Sequence, residues 1–176
     1  MNNKKLRIIL DSLIIIIGVV FLVFGVRDGI KDINKHKLTD AEKFHKSFNY
    51  VSVEDSVYEY VSIRGVYKVL DEDSIVLFGD KNNAWTQVLV KPLNDIYKGK
   101  KIYYVEMNDI DPDSPAYEGI LSKLKIKKLI IPTVVVTKDK KRVVLSREDI
   151  VDKDYEGAPI DYFNDQTIDK LKELLK

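Results

Sequence analysis

The amino-acid sequence opens with a long apolar run, and its later apolar positions fall into short periodic blocks. Residues 8–26 (IILDSLIIIIGVVFLVFGV) carry only Asp11 and Ser12 as polar side chains, both near the start of the run. As a helix this segment would span roughly 28 Å, which is close to the thickness of a bilayer's hydrocarbon core. We therefore expect residues 8–26 to be a transmembrane anchor.

The basic residues before the run predict the orientation of that anchor. Lys4, Lys5 and Arg7 lie within residues 1–7, so the positive-inside rule places the N-terminus in the cytoplasm and the chain after residue 26 outside. A cleaved signal peptide would end in small residues, which this run lacks. A buried core helix is a third interpretation, although the run lacks the polar stripe of a surface helix. The sequence thus predicts a single-pass cell-membrane protein with an extracellular C-terminal domain.

The rest of the chain divides into a helical stalk, residues 27–50, and a domain, residues 51–176. In the stalk, Thr39 and Glu42 have the spacing of a capping box, which predicts a short helix over about 40–48. Apolar periodicity in the domain predicts strands at 57–61, 74–78, 101–107, 130–136 and 142–145, and helices at about 63–70, 83–97, 116–124 and 167–175. This alternation predicts an α/β fold in which helices flank both faces of a mixed sheet. A hairpin is expected across 138–141, and a surface loop over 152–161.

Composition narrows the possible chemistry. The chain has 29 basic and 28 acidic residues, and so lacks the basic excess of a nucleic-acid-binding surface. Cysteine is absent, which excludes disulfides, thiolate nucleophiles and iron–sulfur sites. The two histidines, His36 and His45, are too few and too far apart to predict a metal site. The acidic turn at 109–113 resembles the start of a calcium loop but departs from the pattern at Ser114 and Ile120. We expect no metal and no cofactor.

Residues 75–93 (IVLFGDKNNAWTQVLVKPL) carry a resemblance to a known family. A strand ending in Phe-Gly, a short loop and a helix that contains a proline resemble the thioredoxin-like superfamily. The resemblance is strongest to small membrane-anchored Gram-positive thioredoxin-like proteins, a group that includes bacteriocin-transport accessory proteins. It covers residues 57–176 and implies a thioredoxin-like mixed sheet. Pro132 opens the fourth predicted strand, and the resemblance implies a cis peptide bond between Ile131 and Pro132.

The family's redox motif, C-P-W-C or C-P-x-C, is degenerate in this chain. Trp85 matches the tryptophan of the motif, which aligns Asn83 and Thr86 with the two cysteines and Ala84 with the proline. Counting back from the helix proline instead aligns Ala84 and Gln87 with the cysteines. Neither alignment supplies a sulfur, and disulfide exchange requires two. The resemblance therefore implies a redox-inactive protein.

The resemblance also implies a place for a partner, because the family holds extended peptides at this edge by strand addition. The candidate partner-binding residues are Asn83, Ala84, Trp85, Thr86, Ile131 and Pro132. We expect a protein or peptide partner and an accessory role outside the membrane, in peptide export or immunity. Trp85 has two interpretations, a packed remnant of the redox loop or an anchor for the partner. Two alternative functions remain open: a structural subunit of a membrane complex, and a non-thiol enzyme that uses Thr86.

Overall fold

Within residues 38–175, the residues that the computed structural model describes, the chain forms five strands and seven helices. The strands are β1 (Tyr58–Tyr60), β2 (Ser74–Gly79), β3 (Ile102–Glu106), β4 (Thr133–Lys138) and β5 (Lys141–Ser146). The helices are α1 (Asp40–Ser47), α2 (Val66–Val69), α3 (Ala84–Ile96), α4 (Pro115–Leu124), α5 (Arg147–Ile150), α6 (Pro159–Tyr162) and α7 (Asp165–Leu174).

The predicted membrane anchor, residues 8–26, lies outside the described residues, as do residues 1–7 and most of the predicted stalk. The helices of the described part were compared with the requirements of a membrane span. None of the helices in residues 38–175 combines the length and apolarity that crossing a bilayer requires. The membrane anchor therefore stays a prediction of the sequence.

The five strands form one mixed sheet in the order β1-β3-β2-β4-β5. Strand β3 is parallel to both of its neighbours, with Ile102 opposite Tyr58 on one side and Ile75 on the other. Strands β2, β4 and β5 are antiparallel to one another in turn, and Phe78 pairs with Thr133. This confirms the mixed α/β sheet and the order of the predicted elements after residue 57. The structure adds two short helices that were not predicted, α5 and α6, between β5 and α7.

Helices cover both faces of the sheet because side chains along β2 alternate between two apolar clusters. Ile75 and Leu77 belong to a cluster completed by α1, α3 and α7. Val76 and Phe78 belong to a second cluster, completed by α2 and α4. With both faces covered, β2 consists of an almost unbroken run of buried apolar residues.

Helix α1 belongs to this core, whereas the sequence analysis assigned it to the stalk and began the domain at residue 51. Phe44 and Phe48 are fully buried, and the ring of Phe44 stacks on Tyr58 with centroids 3.9 Å apart. Both phenylalanines also meet Tyr104 edge-to-face, at 5.4 and 5.3 Å. The capping box of Thr39, predicted from the sequence, is present. The compact unit therefore begins at Thr39.

Two short elements differ from their predicted bounds. The helix predicted over 63–70 is only the single turn of α2, although the hydroxyl of Ser62 accepts a hydrogen bond from the Gly65 amide at 3.0 Å, as a helix N-cap does. Strand β4 begins three residues later than predicted, after Pro132, which has no amide proton to give to a ladder. The predicted hairpin joins β4 and β5, with positive φ angles of 49° at Asp139 and 64° at Lys140.

Candidate functional site

The candidate residues lie at one end of the sheet, where two neighbouring strands meet. Strand β2 ends at Gly79, and the loop 80–83 leads from there into α3. Because Phe78 pairs with Thr133, Pro132 lies opposite Gly79 at the same end. The Ile131–Pro132 peptide bond is cis, which confirms the prediction. The fold thus brings the two parts of the predicted site to one edge.

The loop before α3 is fixed by its own hydrogen bonds. Asn83 is the N-cap of α3, and its Oδ1 accepts from the amide of Thr86 at 3.0 Å. Asp80 accepts from the amide of Asn82 through Oδ1 at 2.7 Å, and from the amide of Asn83 through its carbonyl at 2.9 Å. The side-chain amide of Gln87 donates through Nε2 to the carbonyls of Ser47, at 3.0 Å, and of Lys81. These bonds hold the loop in one conformation between α1 and α3.

Thr86 is a packing residue, because its side chain is fully buried. Its methyl group faces Gly79, where an added Cβ would lie only 2.6 Å from Thr86 Cγ2. Its hydroxyl lies 3.4 Å from both the Asp80 amide and the Asn83 side-chain oxygen. Within residues 38–175 the hydroxyl has no hydrogen bond to a carboxylate or an imidazole that could act as a base. The non-thiol enzyme that uses Thr86 therefore stays an untested alternative.

The other candidate residues differ in exposure. Ala84, the first residue of α3, is exposed, whereas Asn83 and Trp85 are half-buried. Pro132 is buried, and Ile131 packs against the cluster that lies under α2 and α4. The part of this site most open to a partner is therefore the first turn of α3.

Trp85 packs against a segment that the sequence analysis predicted to be a surface loop. Its ring meets Tyr155 at 6.0 Å and Tyr162 at 5.6 Å between centroids, both edge-to-face, and the two tyrosine rings lie 4.8 Å apart. Tyr162 is only 3% exposed and lies on α6. The three aromatic residues form what we call the aromatic cluster. Trp85 is thus tied to the domain by internal contacts on at least one face.

Hydrogen bonds around Tyr162 hold this segment in place. The Tyr162 hydroxyl donates to the Ile150 carbonyl at 2.9 Å and accepts from the Asp152 amide at 3.1 Å. The Asp152 carboxylate pairs with Lys170 of α7, and the hydrogen bond from that ammonium group lowers the pKa of Asp152. Sequence reasoning missed this arrangement. Its only signal was two tyrosines and a proline within an otherwise polar stretch.

Carboxylates at this end of the sheet accept structural hydrogen bonds. The Glu106 carboxylate accepts from the Tyr104 hydroxyl at 3.1 Å and from the Asn108 amide at 3.1 Å. Burial, and the nearby negative charge of Glu106, raise the pKa of Tyr104 well above its ordinary value, so this phenol stays neutral. We therefore identify hydrogen-bonding groups at this edge, but no pair of a nucleophile and a base among the described residues.

An apolar groove of about 200 Å³ continues along α3 from the aromatic cluster. Val88 and Pro92 of α3 line it, together with Phe163. Tyr50 and Ile160, which are 47% and 58% exposed, stand on its rim. Sequence reasoning missed this groove because its walls come from three separate parts of the chain.

The acidic turn at 109–113 and His45, which the sequence analysis considered as metal ligands, make local hydrogen bonds in the structure. The acidic turn before α4 is tied by local hydrogen bonds, with Asp111 Oδ1 accepting from the Asp113 amide at 3.0 Å and Ser114 capping the helix. The ring of His45 is bonded through Nδ1 to the carbonyl of Val51 at 2.8 Å. Within residues 38–175, no group of three or more histidine, aspartate or glutamate side chains could hold a metal ion. His36 lies outside these residues.

Compared with known proteins, the sequence matches no protein-family model and no curated protein.

Proposed function

We propose that residues 39–175 form a redox-inactive, thioredoxin-like domain that binds an extended segment of a protein partner outside the membrane. Residues 8–26 anchor this domain in the cell membrane, with the N-terminus in the cytoplasm. The bound segment lies along the edge formed by Ile131–Pro132 and the first turn of α3. The proposed role is that of an accessory protein in peptide export or immunity.

The order of elements supports the thioredoxin-like arrangement. The features behind the resemblance are a proline that opens the fourth predicted strand and a proline inside the helix that follows the second strand. Pro132 directly precedes β4, and Pro92 lies inside α3. Helices flank both faces of the mixed sheet, as the resemblance implies.

The burial of the loop residues favours one alignment of the lost cysteines. An attacking thiolate must be reachable by its substrate, whereas the second sulfur needs only to reach the first. Asn83 is half-buried at the helix N-cap, and Thr86 is fully buried one turn later. In the alternative alignment Ala84 is exposed and Gln87 is half-buried. The side-chain amide of Gln87 donates hydrogen bonds to two carbonyls. The first alignment therefore suits the chemistry of a redox pair that has been lost.

One observation carries the proposal: the open first turn of α3 and Pro132 lie at the same end of β2 and β4 in a chain without cysteine. At this end of the sheet α3 is capped and the loop before it is fixed by hydrogen bonds, although no cysteine is present for disulfide exchange. An extended peptide could be held here by main-chain hydrogen bonds to the segment before β4, and such bonds do not require a thiol. Binding without exchange is the function that this edge supports best.

Site-specific photo-crosslinking in the native membrane tests this proposal. A photoreactive amino acid at Ala84 is expected to give a discrete protein adduct, whereas the same group at Ser122, which is exposed on α4, gives none. An adduct at neither position, or the same adducts at both, would count against the proposal. Ala84→Arg is expected to prevent the interaction by bulk and charge, and Ser122→Arg is the matched control. If the partner still associates with Ala84→Arg but is lost when residues 8–26 are replaced, the domain is a structural subunit instead.

A further inference from the structure

A second groove, of about 880 Å³, lies at the end of the sheet opposite the candidate site. Its walls include Ser74 and Ile75 at the start of β2, and residues 136–138 at the end of β4. The C-terminal ends of α3 and α7 complete the walls. We call it the basal groove. Its volume lies within the range of roughly 300–1,000 Å³ that is usual for small-molecule sites.

The floor of the basal groove is apolar. Ile75, Tyr97 and Leu175 lie there and are 7%, 9% and 6% exposed. The half-buried side chains of Ile96 and Val136 extend this surface. The Tyr97 hydroxyl donates to the Leu175 carbonyl at 3.4 Å, and burial raises the pKa of Tyr97 to about 12. The floor therefore carries no charge at neutral pH and suits a hydrocarbon chain.

The rim of the basal groove carries more lysines than acidic residues. Four lysines line the groove, and Asp73 is the only acidic residue that does so. The four lysines are Lys100, Lys101, Lys138 and Lys172.

Two of these lysines are already paired. Lys101 pairs with Glu59, and Lys172 pairs with Asp169 at 2.8 Å. Within residues 38–175, no carboxylate oxygen lies within 4.0 Å of the amine of Lys100 or Lys138. Lys100 and Lys138 are thus the two lysines of the groove that could pair with an anionic ligand.

We propose that the basal groove binds a single-chain anionic amphiphile, with its acyl chain on the apolar floor and its carboxylate paired with Lys100 and Lys138. Charge complementarity at the rim and apolar complementarity at the floor both favour this class of ligand. A bilayer surface presents head groups but not chains, and would leave the concave floor unfilled. An acidic peptide would satisfy the lysines but would not cover the floor. The proposal is independent of the partner-binding function assigned to the other end of the sheet.

Lysine labelling of the full chain tests the basal groove directly. The protein is placed in nanodiscs of phosphatidylcholine, and dodecanoate is added below its micelle concentration as the probe. Reductive methylation, read by mass spectrometry at each lysine, is expected to slow at Lys100 and Lys138 in proportion to the fraction of protein bound. Labelling of Lys68 and Lys127, which are exposed outside the groove, is expected to stay unchanged.

Chain length and charge separate the two parts of the interaction. Each methylene removed from the probe is expected to weaken protection by roughly fourfold if that methylene lies on the floor. Dodecanol, which keeps the chain but lacks the carboxylate, is expected to bind roughly tenfold more weakly than dodecanoate. Acetate, which lacks the chain, is expected to give no protection. The variant Lys100→Gln/Lys138→Gln is expected to bind dodecanoate roughly tenfold more weakly. This is read from Lys101 and Lys172, which line the same groove and are expected to be partly protected by the bound chain. The matched variant Lys68→Gln/Lys127→Gln is expected to bind like the wild type.

Four results would overturn the proposal. Equal protection of all lysines would indicate nonspecific association, and absence of protection would show that the basal groove does not take this ligand. Equal protection by a hexaglutamate peptide would assign the lysines to an acidic protein partner. Protection by phosphatidylglycerol nanodiscs without dodecanoate would assign them to the membrane surface.

Discussion

Replacing Trp85 with alanine separates the two interpretations of this side chain. In the structure, Trp85 makes edge-to-face contacts with Tyr155 at 6.0 Å and with Tyr162 at 5.6 Å, and it is half-buried. Truncation of a fully buried tryptophan costs about 3–5 kcal/mol, so a half-buried one costs roughly 2 kcal/mol. This cost includes the loss of the two aromatic pairs, each of which is worth about 0.5–1.5 kcal/mol. We expect Trp85→Ala to lower the free energy of unfolding by about 2 kcal/mol.

The assay is urea unfolding of residues 38–176, which contain every residue of both core clusters. Far-UV circular dichroism must follow the transition, because Trp85 is the only tryptophan and its removal abolishes the fluorescence signal. Trp85→Phe is the matched control, and we expect it to lose about 1 kcal/mol, since it keeps one aromatic ring in the cluster. A double-mutant cycle with Tyr155→Ala is expected to give a coupling energy of about 0.5–1.5 kcal/mol.

Two results together would refute this reasoning. A loss below about 0.5 kcal/mol, the size usual for surface substitutions, would show that the Trp85 ring is not packed in the domain. A coupling energy near zero would show that Trp85 and Tyr155 do not interact. Trp85 would then be free to serve as an anchor for the partner.

Two further substitutions test the structure near the site. Gly79→Ala would place a Cβ 2.6 Å from Thr86 Cγ2 and 3.0 Å from the Tyr104 ring, and is expected to cost about 1–3 kcal/mol by overpacking. Thermal denaturation measures this loss of stability. The double variant Gly79→Ala/Thr86→Ser, which removes Thr86 Cγ2, is expected to recover part of it. Full stability of Gly79→Ala alone would contradict the close packing of Gly79 and Thr86. The hydrogen bond from Lys170 lowers the pKa of Asp152 in the folded state. The Asp152 carboxylate therefore stabilises the fold at pH values above its pKa in the unfolded chain. This contribution is lost as the pH falls through the pKa of Asp152 in the folded state. NMR titration is expected to show a lowered pKa for Asp152. The variant Asp152→Asn is expected to lack the loss of stability that this carboxylate causes at acidic pH. An ordinary pKa for Asp152 would argue against its ion pair with Lys170.

The features that could be predicted from the sequence depend on residues close together in the chain. The capping box joins Thr39 to Glu42, and the cap of α3 joins Asn83 to Thr86, each over three positions. The β4–β5 hairpin likewise depends on the short polar turn at 138–141. Local hydrogen bonds and periodicity leave a visible pattern in such segments.

The features that could not be predicted depend on contacts between distant residues. Phe44 and Phe48 looked like part of a stalk, since nothing near them indicates that Tyr58 and Tyr104 would cover their rings. The aromatic cluster joins α3 to a segment about seventy positions later, and the length and polarity of that segment favoured a loop. The basal groove takes its walls from the ends of several strands and helices. Only the assembled fold brings these residues together.

Introducing a pair of cysteines tests the central proposal, that this end of the sheet has the geometry of a thioredoxin-like site without its sulfur. The variant Asn83→Cys/Thr86→Cys gives up a helix cap worth about 1 kcal/mol, so circular dichroism must first show that it is folded. We predict that it reduces insulin disulfides with dithiothreitol as the electron source, whereas the wild type and Ala84→Cys/Gln87→Cys do not accelerate the reaction. Activity of the Ala84/Gln87 pair alone would move the alignment by one residue. A folded Asn83/Thr86 variant without activity, together with an inactive second pair, would contradict the thioredoxin-like assignment.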